Sequence, residues 1–366
     1  MTSKTPGDAG APVQPVQPPS RICVVGGAGF LGSILVELLL DEGHQVTILD
    51  ALLYGDEGIR HLLDRPGLSL VPGDLRDIAA TIHAFRDAHA VVHLGALVGD
   101  PACDIDERLT LDINRDATVK AAAIARGLGI SRFVFASTCS VYGASSDLLD
   151  ESSPLGPISV YARSKMESEQ LLLAQSGNGF WPTVLRFGTL YGRSQRERFD
   201  LVVNLLTAQA VATGEITVFG GRQWRPFVHV RDGAEAILAC LKAPSAAVGG
   251  QVFNVGADDQ NHRLTEIAEI ISQVVPGVRV RVAPATAQEA DYRVCFAAIR
   301  SATGFSPRRT VADGVAEIAG AVSRGAVPDY TDARYSNFKA LSGGEVLAAL
   351  AGNELPGAAP VPSAIG

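Results

Sequence analysis

Tyr161 and Lys165, in Tyr161-Ala-Arg-Ser-Lys165, put a phenol and an ammonium on one face of any helix that carries them. A free phenol titrates near 10, and nearby positive charge favours phenolate, so such a pair can hold a proton-exchanging oxygen near operating pH. Upstream, Gly26-Gly27-Ala28-Gly29-Phe30-Leu31-Gly32 follows the apolar run Ile22-Cys23-Val24-Val25 and opens into Ser33–Leu40. Strand, glycine turn and helix, in that order, lay a pyrophosphate on a helix N-terminus. Gly26 permits the tight turn, Gly29 the close approach of backbone to phosphate, and Gly32 the packing of helix on sheet. Asp50 closes the next strand-like run, 21 residues after Gly29. A carboxylate there accepts hydrogen bonds from adenosine ribose hydroxyls and repels a 2′-phosphate, so NAD is expected in preference to NADP. Asp74-Leu75, after the third run, is placed at the adenine edge.

These residues need a scaffold, and the chain supplies alternating runs. Ile22–Val25, Gln45–Leu49, Leu68–Val71, Ala90–Leu94, Arg132–Ala136 and Trp181–Arg186 read as strands. Ile34–Leu40, Ile78–Asp87 and Ile113–Gly127 read as helices between them. That alternation predicts βαβ crossovers and an α/β fold: a Rossmann-like, doubly wound parallel sheet with a smaller C-terminal α/β substrate-binding region. The expected divisions are a flexible tail over 1–20, a dinucleotide-binding domain over 21–185, a substrate region over 186–340 and a loose tail over 341–366. Within the second half, 215–219, 251–255 and 278–282 read as short strands, and 252–255 is the candidate to return to the main sheet.

The glycine turn, Asp74-Leu75, His93-Leu94-Gly95-Ala96, Ser137-Thr138-Cys139-Ser140-Val141-Tyr142-Gly143 and the Tyr161/Lys165 motif together resemble the extended short-chain dehydrogenase/reductase family. The run Gly220-Gly-Arg-Gln-Trp-Arg225-Pro-Phe-Val-His229-Val-Arg-Asp232, followed by Phe253-Asn-Val-Gly256, is similar to its nucleotide-sugar epimerase/dehydratase branch. The resemblance runs from about Arg21 to about Phe305. It implies Tyr161 as acid/base, Lys165 on the nicotinamide ribose, and Thr138 on the sugar hydroxyl that becomes a carbonyl. Gly26, Gly29, Phe30, Leu31, Gly32, Asp50, Asp74, Leu75, Leu94 and Ala96 would line the cofactor, and Asn114 would support the site. Asn204, Arg225 and Arg293 would meet the substrate diphosphate, for which arginine's planar fork is suited. Arg193 and Arg198 serve surface ion pairing as well as they would serve a ligand. His229 reads as a core histidine.

Departures from the branch narrow the chemistry. Sugar 4,6-dehydratases carry an Asp-Glu pair directly after the threonine; here those positions are Cys139 and Ser140. Removal of water needs a separate acid and base, so dehydration is disfavoured. Cys139 also sits one residue early for the cysteine of the 3,5-epimerases and reads as packing. What remains is hydride transfer at sugar C4. A nucleotide-sugar 4-epimerase, UDP-glucose 4-epimerase-like, is the first expectation. An NAD(P)H-dependent 4-ketoreductase of a 4-keto-6-deoxyhexose is the alternative, and a non-catalytic cofactor sensor of the same fold the remote one.

The 366 residues carry 31 Lys+Arg against 39 Asp+Glu, a net charge of −8 with no basic cluster, which argues against nucleic acid. The cysteines, five and without CxxC spacing, suggest neither structural zinc nor a disulfide framework, so no metal is expected and a reducing, cytoplasmic location is. No apolar run reaches the roughly 18 residues of a membrane span. The resemblance implies a homodimer on a four-helix bundle. Its contacts would come from Ala117, Ala121 and Ile124 on the helix over 114–127, and from Leu171 and Leu172 on that over 161–175.

Overall fold

The computed structural model of the protein describes residues 14–285 and 291–352. Residues 1–13, 286–290 (with Glu289) and 353–366 lie outside the described residues, and with them parts of the two tails named above. In chain order the strands are β1 (Arg21–Val25), β2 (Gln45–Asp50), β3 (Leu68–Pro72), β4 (Ala90–His93), β5 (Arg132–Thr138), β6 (Leu148–Leu149), β7 (Trp181–Phe187), β8 (Thr189–Tyr191), β9 (Glu215–Phe219), β10 (Trp224–His229), β11 (Val252–Val255), β12 (Asn261–Arg263), β13 (Arg279–Ala283) and β14 (Arg293–Val294).

Seven of these make one sheet in the order β11-β7-β5-β4-β1-β2-β3, with every pairing parallel. Such a sheet must be covered on both faces, and alternate residues of the same strand serve the two covers. Ile22 and Val24 of β1 pack with Leu35 and Leu39 of the Phe30–Asp41 helix and with Ile237 of the Val230–Lys242 helix. Cys23 and Val25 face Ala84, Phe85, Ala121 and Leu172 from the helices opposite. β11 enters the sheet beside β7, so the second half of the chain contributes the outermost strand. Of the remaining small sheets, β12-β10-β8 and β13-β9 belong to the region beyond Phe187, and β14-β6 ties that region back to the loop after β5. The order in which the strands are added reverses between β1 and β4, and a crevice opens at the carboxyl ends of these strands, where open α/β sheets bind ligands.

Several elements differ from the sequence reading. The helix expected over Ile113–Gly127 begins as a π-helical segment, Asp112–Ala117, before becoming α-helical over Thr118–Gly127. Its Asn114 carbonyl accepts the hydroxyls of Thr118 (2.7 Å) and Ser168 (2.9 Å), which ties the segment to the neighbouring helix. Within the expected N-terminal tail, Val16 is buried and its amide donates to Leu241 O (3.0 Å). The expected loose C-terminal stretch continues as helices over Asn337–Ser342 and Glu345–Gly352, whose Leu341 and Leu350 are buried against Leu97, Cys103 and Ile113. Apolar residues hidden among alanine and glycine made this docking hard to see. Of the faces assigned to a subunit contact, Ala117, Ala121 and Leu172 are already fully buried within the chain's own core, and Leu171 is exposed. Among the described residues, no helix is long and apolar enough to cross a membrane.

Candidate active site and dinucleotide crevice

β1 delivers the glycine turn. Gly26 has φ +77°, and a Cβ on it would lie 2.6 Å from Gly95 N, so the loops after β1 and β4 touch backbone to backbone. On Gly32 a Cβ would lie 2.2 Å from Gly26 O, which fixes that position as glycine for packing. Gly29 caps the Phe30–Asp41 helix without a side-chain hydrogen bond, and no acidic side chain occupies its first turn. Its first amides therefore remain open to an anion. A cavity of about 400 Å³ lies over this turn. Gly26, Gly29, Phe30, Leu31, Gly32, Asp50, Asp74, Leu75, Leu94, Ala96, Thr138, Tyr161 and Lys165 all line it. The spacing-based assignments thus converge on one crevice. The bare glycine turn, the open helix end and the acid of β2 fit a dinucleotide.

Asp50 closes β2 and accepts from Ala28 N (2.9 Å) and Leu52 N (2.9 Å), bracing the turn from below. Burial raises its carboxyl above the ordinary value, and these two amides pull it back. Asp74 is gripped by Arg76, whose Nη2 also donates to Leu350 O (2.6 Å) of the C-terminal helix. Leu350 itself lines the cavity.

At the other end, the Val160–Leu173 helix carries Tyr161 and Lys165, with Ser159 as N-cap accepting from Ala162 N. Lys165 Nζ donates to Ala136 O (2.9 Å) and lies 4.6 Å from the Phe135 ring centroid. Burial draws this ammonium down to about 8. The Tyr161 phenol moves opposite to the sequence expectation: burial pushes it well above its ordinary value, with Arg198 and Thr138 only partly countering. The lysine turned toward the Ala136 carbonyl instead of stabilising a phenolate. Thr138 caps the short turn Cys139–Tyr142, accepting from Ser140 N (3.1 Å) and donating to Ser140 Oγ (3.1 Å). Asn114 is fully buried and clamps Leu97 through both N–H and C=O, at 2.8 and 2.9 Å, while donating to Ser164 Oγ. It orients the loop and helix that border the cavity and does not line it.

The substrate-side residues are placed elsewhere than expected. Asn204 is fully buried, and its amide holds Gly192 N, Gly192 O and Arg198 O, all at 3.0 Å. Its capacity is spent on the 192–198 loop. Arg225 donates to Trp224 O and lies 5.7 Å from the Tyr292 ring, so it reaches the cavity wall only through Tyr292. Arg293 donates to Ser146 O (3.2 Å) and lies 5.4 Å from the Trp224 ring. Neither arginine lines the cavity. Arg193 pairs with Glu197, and Arg198 forks onto Asp200 at the cavity edge. His229 is buried, bonded to Glu317 (3.0 Å) and to Arg231 N. Sequence reasoning missed Ser140, Tyr292, Tyr54, Arg196 and Asn337, which also line the cavity. They lie in loops, in the short turn Cys139–Tyr142 or at the start of the Asn337–Ser342 helix, where no periodicity reveals them.

Comparison with known proteins agrees with this geometry. The NAD dependent epimerase/dehydratase family matches residues 22–256. A UDP-N-acetyl-alpha-D-glucosaminuronate decarboxylase of Bacillus cytotoxicus is 30% identical over 69% of this chain and 80% of its own. A dTDP-glucose 4,6-dehydratase of Streptomyces niveus is 30% identical over 81% of this chain and 91% of its own. The crystal structure of Thermus thermophilus UDP-glucose 4-epimerase in complex with NAD superposes with a TM-score of 0.73 at 26% identity, covering 84% of this chain and all of that one. The match spans the glycine turn, the acidic end of β2 and the helix that carries the phenol and the ammonium, and the chain belongs to the NAD-dependent epimerase/dehydratase family of enzymes.

Proposed function

We propose that this protein is a nucleotide-sugar 4-epimerase. The observation that carries the reading is the segment after β5. Elimination of water needs an acid and a base beside the threonine. Here Cys139 is fully buried, its thiol donating to Arg186 O (3.2 Å) and pushed up by burial, and Ser140 offers only a hydroxyl. The cavity's carboxylates, among the described residues, are Asp50, Asp74 and Asp100. The first two are committed to the turn and to Arg76, and Asp100 is an exposed rim residue bonded to Ser159. Tyr161 therefore stands as the proton-exchanging group beside Thr138.

In this reading Thr138 orients the sugar 4-hydroxyl and Tyr161 takes its proton, returning it after the ring has turned its other face. When bound, NAD would supply the hydride chemistry, and the charge of its oxidised ring would favour ionisation of the raised phenol. Lys165 holds the ribose. Thr138 and Lys165 are buried and Tyr161 is partly buried, which limits the access of water to the carbonyl stage. The nucleotide diphosphate would run toward Tyr292 and Arg225. We further propose a homodimer through the outer surfaces of the helical face, where Leu128 and Leu171 are 45% and 43% exposed.

The test is product analysis by NMR after incubation with UDP-, dTDP- and GDP-hexoses without added reductant. A C4 epimer, lost in Tyr161→Phe by a factor of about 10² or more, is the expected outcome. A 4-keto-6-deoxy product, a pentose formed with release of CO2, or turnover only of a 4-keto sugar with added NADH would each refute it.

A further inference from the structure

Two arginines line the cavity, and they differ in one respect. Arg198 is neutralised by a two-pronged contact with Asp200. Arg196 is 95% buried and makes no ion pair among the described residues. Its Nη2 donates to Asn337 Oδ1 (2.7 Å), its guanidinium lies 4.3 Å from the Tyr54 ring centroid, and its Nε has no hydrogen-bond partner. The Tyr54 hydroxyl beside it is also buried and unpartnered. Orphaned buried donors are rare, and a buried guanidinium without a counter-charge is costly. Burial draws Arg196 down to about 10, and the nearby Arg198 adds to that.

The loop that carries Arg196 is fastened to the glycine turn. Ser194 Oγ donates to Phe30 O (2.7 Å) and shares a hydrogen bond with Ser33 Oγ (2.9 Å), both in the first turn of the Phe30–Asp41 helix. Gly58 packs where a Cβ would meet Ala28 O at 2.3 Å and Arg196 Cβ at 3.1 Å. A cation lacking a carboxylate thus stands opposite helix amides lacking an anion, across one cavity.

We infer that Arg196 is a diphosphate-binding residue that completes the dinucleotide site, with Tyr54 and Asn337 as its positioning residues. A diphosphate supplies two adjacent negative centres, which the planar fork engages with parallel hydrogen bonds while the helix amides take the other oxygens. The dinucleotide's pyrophosphate and the sugar nucleotide's diphosphate share this chemistry. The Ser194–Phe30 and Ser194–Ser33 staples assign Arg196 to the former. The inference rests on the dinucleotide crevice and is independent of which sugar reacts there.

The test is titration of purified, dinucleotide-stripped protein with NADH, by fluorescence, and with UDP, by calorimetry. Arg196→Gln is expected to weaken NADH at least tenfold and to leave UDP within twofold. Its unliganded melting temperature should not fall below that of the parent, because an unpaired buried charge has been removed. Unchanged NADH affinity, or equal weakening of NADH and UDP, overturns the assignment. Should the glutamine variant not fold, Arg196→Lys decides: a point ammonium cannot reproduce the fork, so NADH must weaken at least threefold, and parent-like affinity overturns the proposal. Failure of the parent itself to bind NADH would instead strike the function proposed above.

Discussion

Replacing Glu169 by methionine removes the counter-charge of Arg186 while roughly keeping side-chain volume. Glu169 is on the helix of Tyr161 and Lys165, one turn beyond the lysine, and Arg186 is on β7; both are buried. The guanidinium meets the carboxylate through Nε, 3.1 Å from each oxygen, and through Nη2 at 2.7 Å. Ser137 Oγ also donates to Glu169, and Arg186 Nη1 donates to the Tyr142 hydroxyl oxygen, whose O–H in turn donates to Asn254 Oδ1 (2.8 Å). Breaking a buried pair from one side costs about 3–5 kcal/mol, because the remaining charge stays desolvated. With an unfolding entropy of roughly 2 cal/mol/K per residue over 366 residues, that corresponds to a fall in melting temperature of about 4–7 °C. The double variant Glu169→Met/Arg186→Met leaves no charge behind and should recover most of the loss, since apolar replacement of a buried pair is often neutral. Scanning calorimetry on the parent, both singles and the double completes the cycle. A drop below 1 °C for Glu169→Met, or a double variant no better than the worse single, would refute the view that this pair anchors the catalytic helix through charge compensation.

Lys165, at about 8 in the folded chain, loses its proton well below the ordinary lysine range near 10.4. NADH affinity should therefore decline as pH rises through 8, by up to about tenfold per unit, and Lys165→Arg should flatten that profile between pH 7 and 10. Between pH 8 and 10.4 the unfolded chain binds more protons at this site, so its contribution to stability grows with pH; the rise should vanish in Lys165→Met, read by denaturant midpoints. Gly32→Ala would drive a Cβ to 2.2 Å from Gly26 O and 2.8 Å from Gly27 Cα, both rigid backbone. It is expected to cost about 1–3 kcal/mol and to weaken NADH at least tenfold, and normal binding by fluorescence titration would contradict the packing described.

The parallel sheet was legible because its strands are short β-branched runs bounded by helical stretches, as in Cys23-Val24-Val25 and Val91-Val92. The crevice was legible because its chemistry requires particular residue types at fixed spacing, from Gly26 to Asp50 and from Tyr161 to Lys165. Electrostatics were less so. The phenol's upward shift depends on how deeply Tyr161 is buried and on where the lysine turns, neither of which spacing encodes. At Asn204 the backbone role was not legible, because an amide that satisfies three backbone groups looks, in sequence, like one that awaits a ligand. Arg196 escaped notice for the converse reason: among Arg193, Arg196 and Arg198, only three-dimensional placement tells which one lacks a carboxylate.

The helices at Asn337–Ser342 and Glu345–Gly352 finish a wall whose first residues come from β1, more than three hundred positions earlier. Asn337 holds the guanidinium of Arg196, and Leu350 shuts the edge beside Asp74 and Leu75. A ribosome-bound chain that has produced the entire sheet still presents an open trough. Dinucleotide binding is thus expected to follow, rather than precede, the docking of the chain's last described segment.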